Sequence, residues 1–139
     1  YSDETATKYT VGKAFTEGET WRLMTSIIGH WQLRGYGPYA VEVKATGKVI
    51  GNIGFWYPAD FPSPEILWGL ASKFHGKGFA SEAVRAVQAV GKEYLPEIAF
   101  VSFIHKDNLA SIKLAEAVGA VFEEEIDFKG EMTGVYRHP

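Results

Sequence analysis

The chain has 139 residues and no cysteine, which excludes disulfides, thiolate metal sites and a cysteine nucleophile and fits a reducing compartment. Its net charge is −3 with no run of Lys or Arg, so a nucleic-acid partner is not expected. No apolar run approaches the roughly 20 residues of a membrane span, no signal-peptide pattern opens the chain, and an apolar content of 46% supports a real core. One cytoplasmic domain, residues 1–139, is the expectation.

Residues 1–14 are polar and weakly patterned. Thr16 and Glu19 then form a capping-box signature. Trp21, Met24, Ile28 and Trp31 follow at i, i+3, i+7 and i+10, which predicts one face of an amphipathic helix ending near Arg34. Gly35-Tyr36-Gly37-Pro38 is a run of turn formers. Tyr39–Lys44 and Val49–Tyr57 read as a hairpin around Ala45-Thr46-Gly47-Lys48. Pro58, Pro62 and Pro64 mark a loop, and Glu65–Leu70 a short strand. Phe79, Ala83, Ala86, Val87, Val90 and Tyr94 lie on one face of a helix that Pro96 stops. Ile98–Ile104 predicts a buried strand. Asn108 reads as the N-cap and Gly119 as the C′ residue of the next helix. Val121–Phe128 and Met132–Arg137 predict a terminal hairpin. The expected class is α+β (mixed α/β), a mixed central sheet flanked by helices.

The most informative segment is His75-Gly76-Lys77-Gly78-Phe79-Ala80, between a strand and a helix. A glycine turn there frees backbone N–H groups, and the helix dipole adds positive character, so the loop suits a pyrophosphate. It is not a P-loop, because no Gly-Lys-Ser/Thr follows four spacers. It is not a dinucleotide fingerprint either, because Ser81 stands at the third glycine position. A plain helix-entry turn is the alternative for the loop taken alone. About thirty residues later comes a second motif, Asn108-Leu109-Ala110-Ser111 running on to Gly119-Ala120.

Together, in this order and spacing, the two motifs resemble the GNAT superfamily of acyl-CoA-dependent N-acyltransferases. The family loop reads Arg/Gln-x-x-Gly-x-Gly/Ala; here it is His75-x-x-Gly78-x-Ala80. Gly-Lys-Gly-Phe-Ala-Ser-Glu-Ala looks most like the branch of ribosomal-protein N-terminal acetyltransferases. The resemblance covers residues 39–137 and departs from the family at His75 and Ala120. It implies the GNAT fold, with the usual first strand missing, and acetyl-CoA as cosubstrate with no metal. It also implies an amine acceptor, either a peptide N-terminus or a small amine. A non-catalytic acyl-CoA-binding or regulatory domain is the rival reading.

By the same resemblance, the cofactor surface is the backbone of Leu70 and Ala71, the N–H groups of His75, Gly76, Lys77, Gly78, Phe79 and Ala80, and the side chains of Asn108 and Ser111. Asn108 also reads as an ordinary cap. Glu65 is the expected general base, with a pKa raised among Trp56, Tyr57 and Phe61. The family's tyrosine acid is absent, because Leu114, Ala115 and Glu116 stand there, so Ser111 or direct thiolate departure must serve. His105 is the reserve base. Trp31, Tyr36, Tyr39, Trp56 and Tyr57 read as core or as an acceptor pocket. Glu123-Glu124-Glu125 reads as a solvated face. A missing first strand would expose the edge of Tyr39–Lys44 and favour a homodimer.

Overall fold

The computed structural model describes residues 1–139 throughout. Its elements run α1 (Glu4–Thr7), α2 (Glu17–Arg34), β1 (Pro38–Val43), β2 (Lys48–Trp56), β3 (Glu65–Leu70), α3 (Phe79–Tyr94), β4 (Val101–His105), α4 (Leu109–Ala117), β5 (Val121–Phe128) and β6 (Glu131–Arg137). The six strands form one mixed sheet in the order β1-β2-β3-β4-β6-β5. Only β3 and β4 are parallel neighbours. This is the mixed sheet flanked by helices that the sequence predicts.

Local chemistry explains most of the boundaries. Thr16 and Glu19 close a complete capping box on α2, and Gly35 ends that helix at φ 76°. Asn108 caps α4 by accepting the Ser111 N–H. Gly119 follows at φ 85°. β4 starts three residues later than the apolar run from Ile98. The Ile98 N–H closes a turn on the Leu95 carbonyl, so Ile98–Phe100 round a corner before the ladder begins.

The core lies between the sheet and α3. Ile53, Phe55, Ile66 and Val84 are almost fully buried there. α4 sits beside α3, tied to it by Arg85 and Gln88, which donate to the Ala117 and Val118 carbonyls. The opposite sheet face carries α2 through its last turns, where His30 stacks on Trp56 at 4.6 Å. The His30 ring also bridges the Tyr36 carbonyl and the Tyr57 N–H.

One expectation is overturned. The predicted inner face of α2 does not face inward: Trp21, Met24 and Ile28 are 66%, 56% and 66% exposed. The periodicity is real, but the face turned inward is set one residue back, along Thr20, Leu23, Ile27 and His30, which are half-buried to buried. β1 is the sheet edge, with no strand on its outer side.

Candidate active site

The site begins where the sheet comes apart. β3 and β4 share one registered pair, Glu65 with Val101, and then diverge. β3 is fully laddered to β2, and the Ala71 N–H donates to the Ile50 carbonyl at 2.8 Å. Strand alternation therefore turns the backbone groups of Ile66, Trp68 and Leu70 toward β4 and into the gap. This corrects the expectation for Ala71, whose N–H belongs to the β2 ladder. Leu70 does face the gap. Its carbonyl accepts from His75 Nε2 at 2.8 Å, which leaves its N–H on that side.

The loop after β3 ends at a bare helix terminus. Gly78 is the N-cap of α3 at φ 83°, and no side chain caps it. Ser81 Oγ donates to the Gly78 carbonyl rather than accepting an N–H. Gly76 and Gly78 hold the left-handed backbone that glycine allows, and open space lies where their side chains would project. The His75 imidazole folds back on Leu70, so His75 serves the loop through its backbone. Three cations gather beside it. The ammonium groups of Lys48, Lys73 and Lys77 lie 6.0, 5.4 and 5.7 Å from the Phe74 ring. Close contact with Lys73 holds Lys48 below the ordinary lysine value. Only folding brings Lys48, at the start of β2, to this loop, whereas Lys73 stands two residues before the glycine motif and outside its pattern.

On the α3–α4 side, Trp68 Nε1 donates to Ser111 Oγ at 3.1 Å, across the gap. Asn108 Oδ1 is committed to the Ser111 N–H, so its Nδ2 is the polar group left over.

Glu65 points to the opposite face, and it is buried. Burial pushes its carboxyl up to about 8, against the lowering effects of the Phe103 backbone N–H and the Lys129 charge. Trp56 is its cross-strand partner. A second aromatic group lies around Phe103, which stacks on Phe128 at 4.9 Å and meets Phe61 edge-on at 6.0 Å. Of the five aromatics considered for an acceptor pocket, Tyr36 is core, Trp31 bonds the Pro38 carbonyl, and Tyr57 lies under Arg34. His105 is turned toward Glu131 and the Asp107 N–H, with Tyr9 stacked on it.

The N-terminal segment borders the same site. Asp3 Oδ2 accepts the Ser72 N–H at 2.7 Å while Oδ1 caps α1, and these bonds, Ser72 foremost, hold its carboxyl at about 2. Asn52, opposite Gly69 on the face of Glu65, accepts from Tyr1 and keeps a buried Nδ2 with no partner. Neither Asp3 nor Asn52 carries a motif in the sequence. No group of three or more His, Asp or Glu side chains converges in a metal-binding arrangement.

The Acetyltransferase (GNAT) domain family matches residues 1–121, reaching back past the 39–137 stretch that the motifs mark. The chain belongs to the GNAT acetyltransferase family. It is 30% identical over 142 residues to the Uncharacterized N-acetyltransferase p20 of Bacillus licheniformis, covering 98% of this chain and 80% of that protein. A putative GnaT-family acetyltransferase from Bordetella pertussis has the same fold, with TM-score 0.83 and 25% identity over 98% of this chain and 85% of that one. Spermidine N-acetyltransferase from Vibrio cholerae, solved with CoA and spermine, shares the fold at TM-score 0.72 and 18% identity, over 98% and 82% of the two chains. Ribosomal-protein acetyltransferases are also among the proteins of this fold. The GNAT chain described here is an acyltransferase.

Proposed function

We propose that this protein transfers an acetyl group from acetyl-CoA to a primary amine. The observation that carries the reading is the parting of β3 and β4 after one pair, beside an uncapped α3 N-terminus and with Glu65 buried on the far face. The residues fit the cosubstrate. The open space at Gly76 and Gly78 and the orphan N–H groups up to Ala80 suit a pyrophosphate. Lys48, Lys73 and Lys77 suit the remaining phosphate. The gap-facing groups of Trp68 and Leu70, with Asn108 Nδ2, suit the amides of the pantetheine arm. When bound, acetyl-CoA supplies the activated acyl carbon.

Glu65 would take the proton from the acceptor amine, which attacks only when neutral. At a pKa near 8 its carboxyl is largely protonated at neutral pH, so activity rises as the pH passes through about 8. Ser111, already accepting from Trp68, keeps its own hydroxyl proton to donate toward a departing thiolate. The acceptor is a peptide N-terminus or a small amine. Phe61, Phe103 and Phe128 border its approach to Glu65, and Asn52 Nδ2 offers it a donor.

The edge of β1 and the exposed Trp21, Met24 and Ile28 support self-association, which sedimentation at micromolar concentration tests. A cytoplasmic setting is consistent with the cysteine-free chain.

CoA release in the presence of N-terminal peptides, polyamines and aminoglycosides tests the proposed function. Release that depends on one amine class supports it. Equal release with and without every amine would overturn it.

A further inference from the structure

The strands that make the gap are held at the point where they part. The Val101 N–H donates to the Pro64 carbonyl at 3.1 Å, one of the backbone bonds that make the single Glu65–Val101 pair. One step further along, the ladder would give the Ile66 carbonyl a backbone N–H from β4. A side chain takes that place instead: Ser102 Oγ donates to the Ile66 carbonyl at 2.6 Å. With its only hydrogen used, Ser102 Oγ accepts from His138 Nε2 at 2.8 Å. That fixes the tautomer, so His138 Nδ1 bears a lone pair and accepts from Gln88 Nε2 at 2.9 Å. The second hydrogen of the same amide reaches the Val118 carbonyl at 3.0 Å.

The chain of bonds runs from the end of β6 through β4 to β3 and is anchored on α3 and α4. Ser102 and His138 are 2% and 8% exposed, so each polar group depends on its neighbour rather than on water. His138 also meets the edge of Trp68 at 6.2 Å. Trp68 is the gap-lining residue that reaches Ser111. The bonds therefore bear directly on the strand edge that the preceding section assigns to the pantetheine arm.

We propose that Ser102, His138 and Gln88 form a clamp that sets where and at what angle β3 and β4 separate, making them positioning residues for acetyl-CoA. This rests on the cofactor reading given above. Ser102→Ala removes the hydroxyl and releases the Ile66 carbonyl; the two strands then either close by a residue or splay further, and in both cases the gap-facing groups of Trp68 and Leu70 move. A fold-stabilising role alone would lower the melting temperature and leave cofactor affinity unchanged well below it.

Calorimetry with CoA at 15 °C, paired with steady-state kinetics, separates these outcomes. The expected result is CoA binding by the unsubstituted protein and binding about five- to tenfold weaker in Ser102→Ala, the equivalent of one neutral hydrogen bond. KM for acetyl-CoA rises in step while KM for the amine stays unchanged, and Ser102→Thr restores both. If Ser102→Ala fails to fold by circular dichroism, Gln88→Met, which cuts the outer link, is read on the same scale. Binding by the unsubstituted protein with equal affinity in the folded clamp variants overturns the clamp alone. No CoA binding by the unsubstituted protein overturns both the clamp and the cofactor reading beneath it.

Discussion

The N-termini of α2 and α3 solve the same physical problem in opposite ways. Both helices begin with N–H groups that lack partners inside the helix. At α2, Thr16 and Glu19 satisfy two of them reciprocally, and Lys13 pairs with Glu19. At α3, the cap is a left-handed glycine with no side chain to offer, and Ser81 turns its hydroxyl to a carbonyl instead. One terminus is finished by its own sequence. The other is left for a ligand, on a loop where even the lysines gather without carboxylate partners. α4 lies between the two cases: it is capped by Asn108, yet the cap sits beside the gap and keeps a spare donor.

Four substitutions sharpen the contrast between residues that serve the reaction and residues that serve the fold. The largest effect belongs to Glu65→Gln. It should lower kcat by about 10²–10⁴-fold, the usual size of general-base catalysis, with CoA affinity nearly intact in calorimetry. It should also change stability in a defined direction. Glu65 has a folded pKa of about 8 against an ordinary 4.5, so the unfolded chain ionises first as pH rises. Its protonated form favours folding below about 4.5, and that advantage is lost progressively as pH climbs to 8. Chemical denaturation across this window should show the decline in the unsubstituted protein and a flatter profile in the Gln variant. An unchanged pH–rate profile would remove Glu65 from the reaction and bring His105 forward.

Gly78→Asp comes next. Asp and Asn both tolerate the left-handed conformation found there, so Gly78→Asn is the neutral control. The added carboxylate should weaken CoA binding by about 30-fold relative to Asn, from ~2 kcal/mol of lost helix-terminus electrostatics. Equal affinities for the two variants would mean that no phosphate sits at this terminus. Thr16→Ala, at the other terminus, should cost about 1 kcal/mol of unfolding free energy and leave CoA affinity unchanged. The smallest effect is expected from Lys129→Met. Lys129 lowers the Glu65 pKa from an exposed position beside Asp60. Its removal should move the alkaline-rising limb of activity upward by less than about 0.7 pH unit, since exposed charges contribute at most ~1 kcal/mol.

Much of this division can be read along the chain. The α2 box, the His75–Ala80 loop, the Asn108 cap and the position of Glu65 at a strand mouth are local patterns, and local chemistry decides them. What could not be read depends on register and docking. Periodicity finds the Trp21–Met24–Ile28 stripe but not the side of α2 that meets the sheet. Ala71 points away from the gap because the β2–β3 register gives its N–H to Ile50. The His75 ring turns to the Leu70 carbonyl, five residues back, a contact that the fold of the loop and not its motif decides. Ser102 and His138 lie 36 residues apart and meet only because β4 and β6 pair.

The central claim is that the bare α3 terminus and the β3–β4 gap form the acetyl-CoA site. A crystal structure with CoA tests it most directly. The pyrophosphate should lie within hydrogen-bonding distance of backbone N–H groups between Gly76 and Ala80, with the pantetheine arm between β3 and β4 against Trp68 and Leu70. CoA ordered elsewhere on the protein, with that terminus and gap unfilled, would contradict the account.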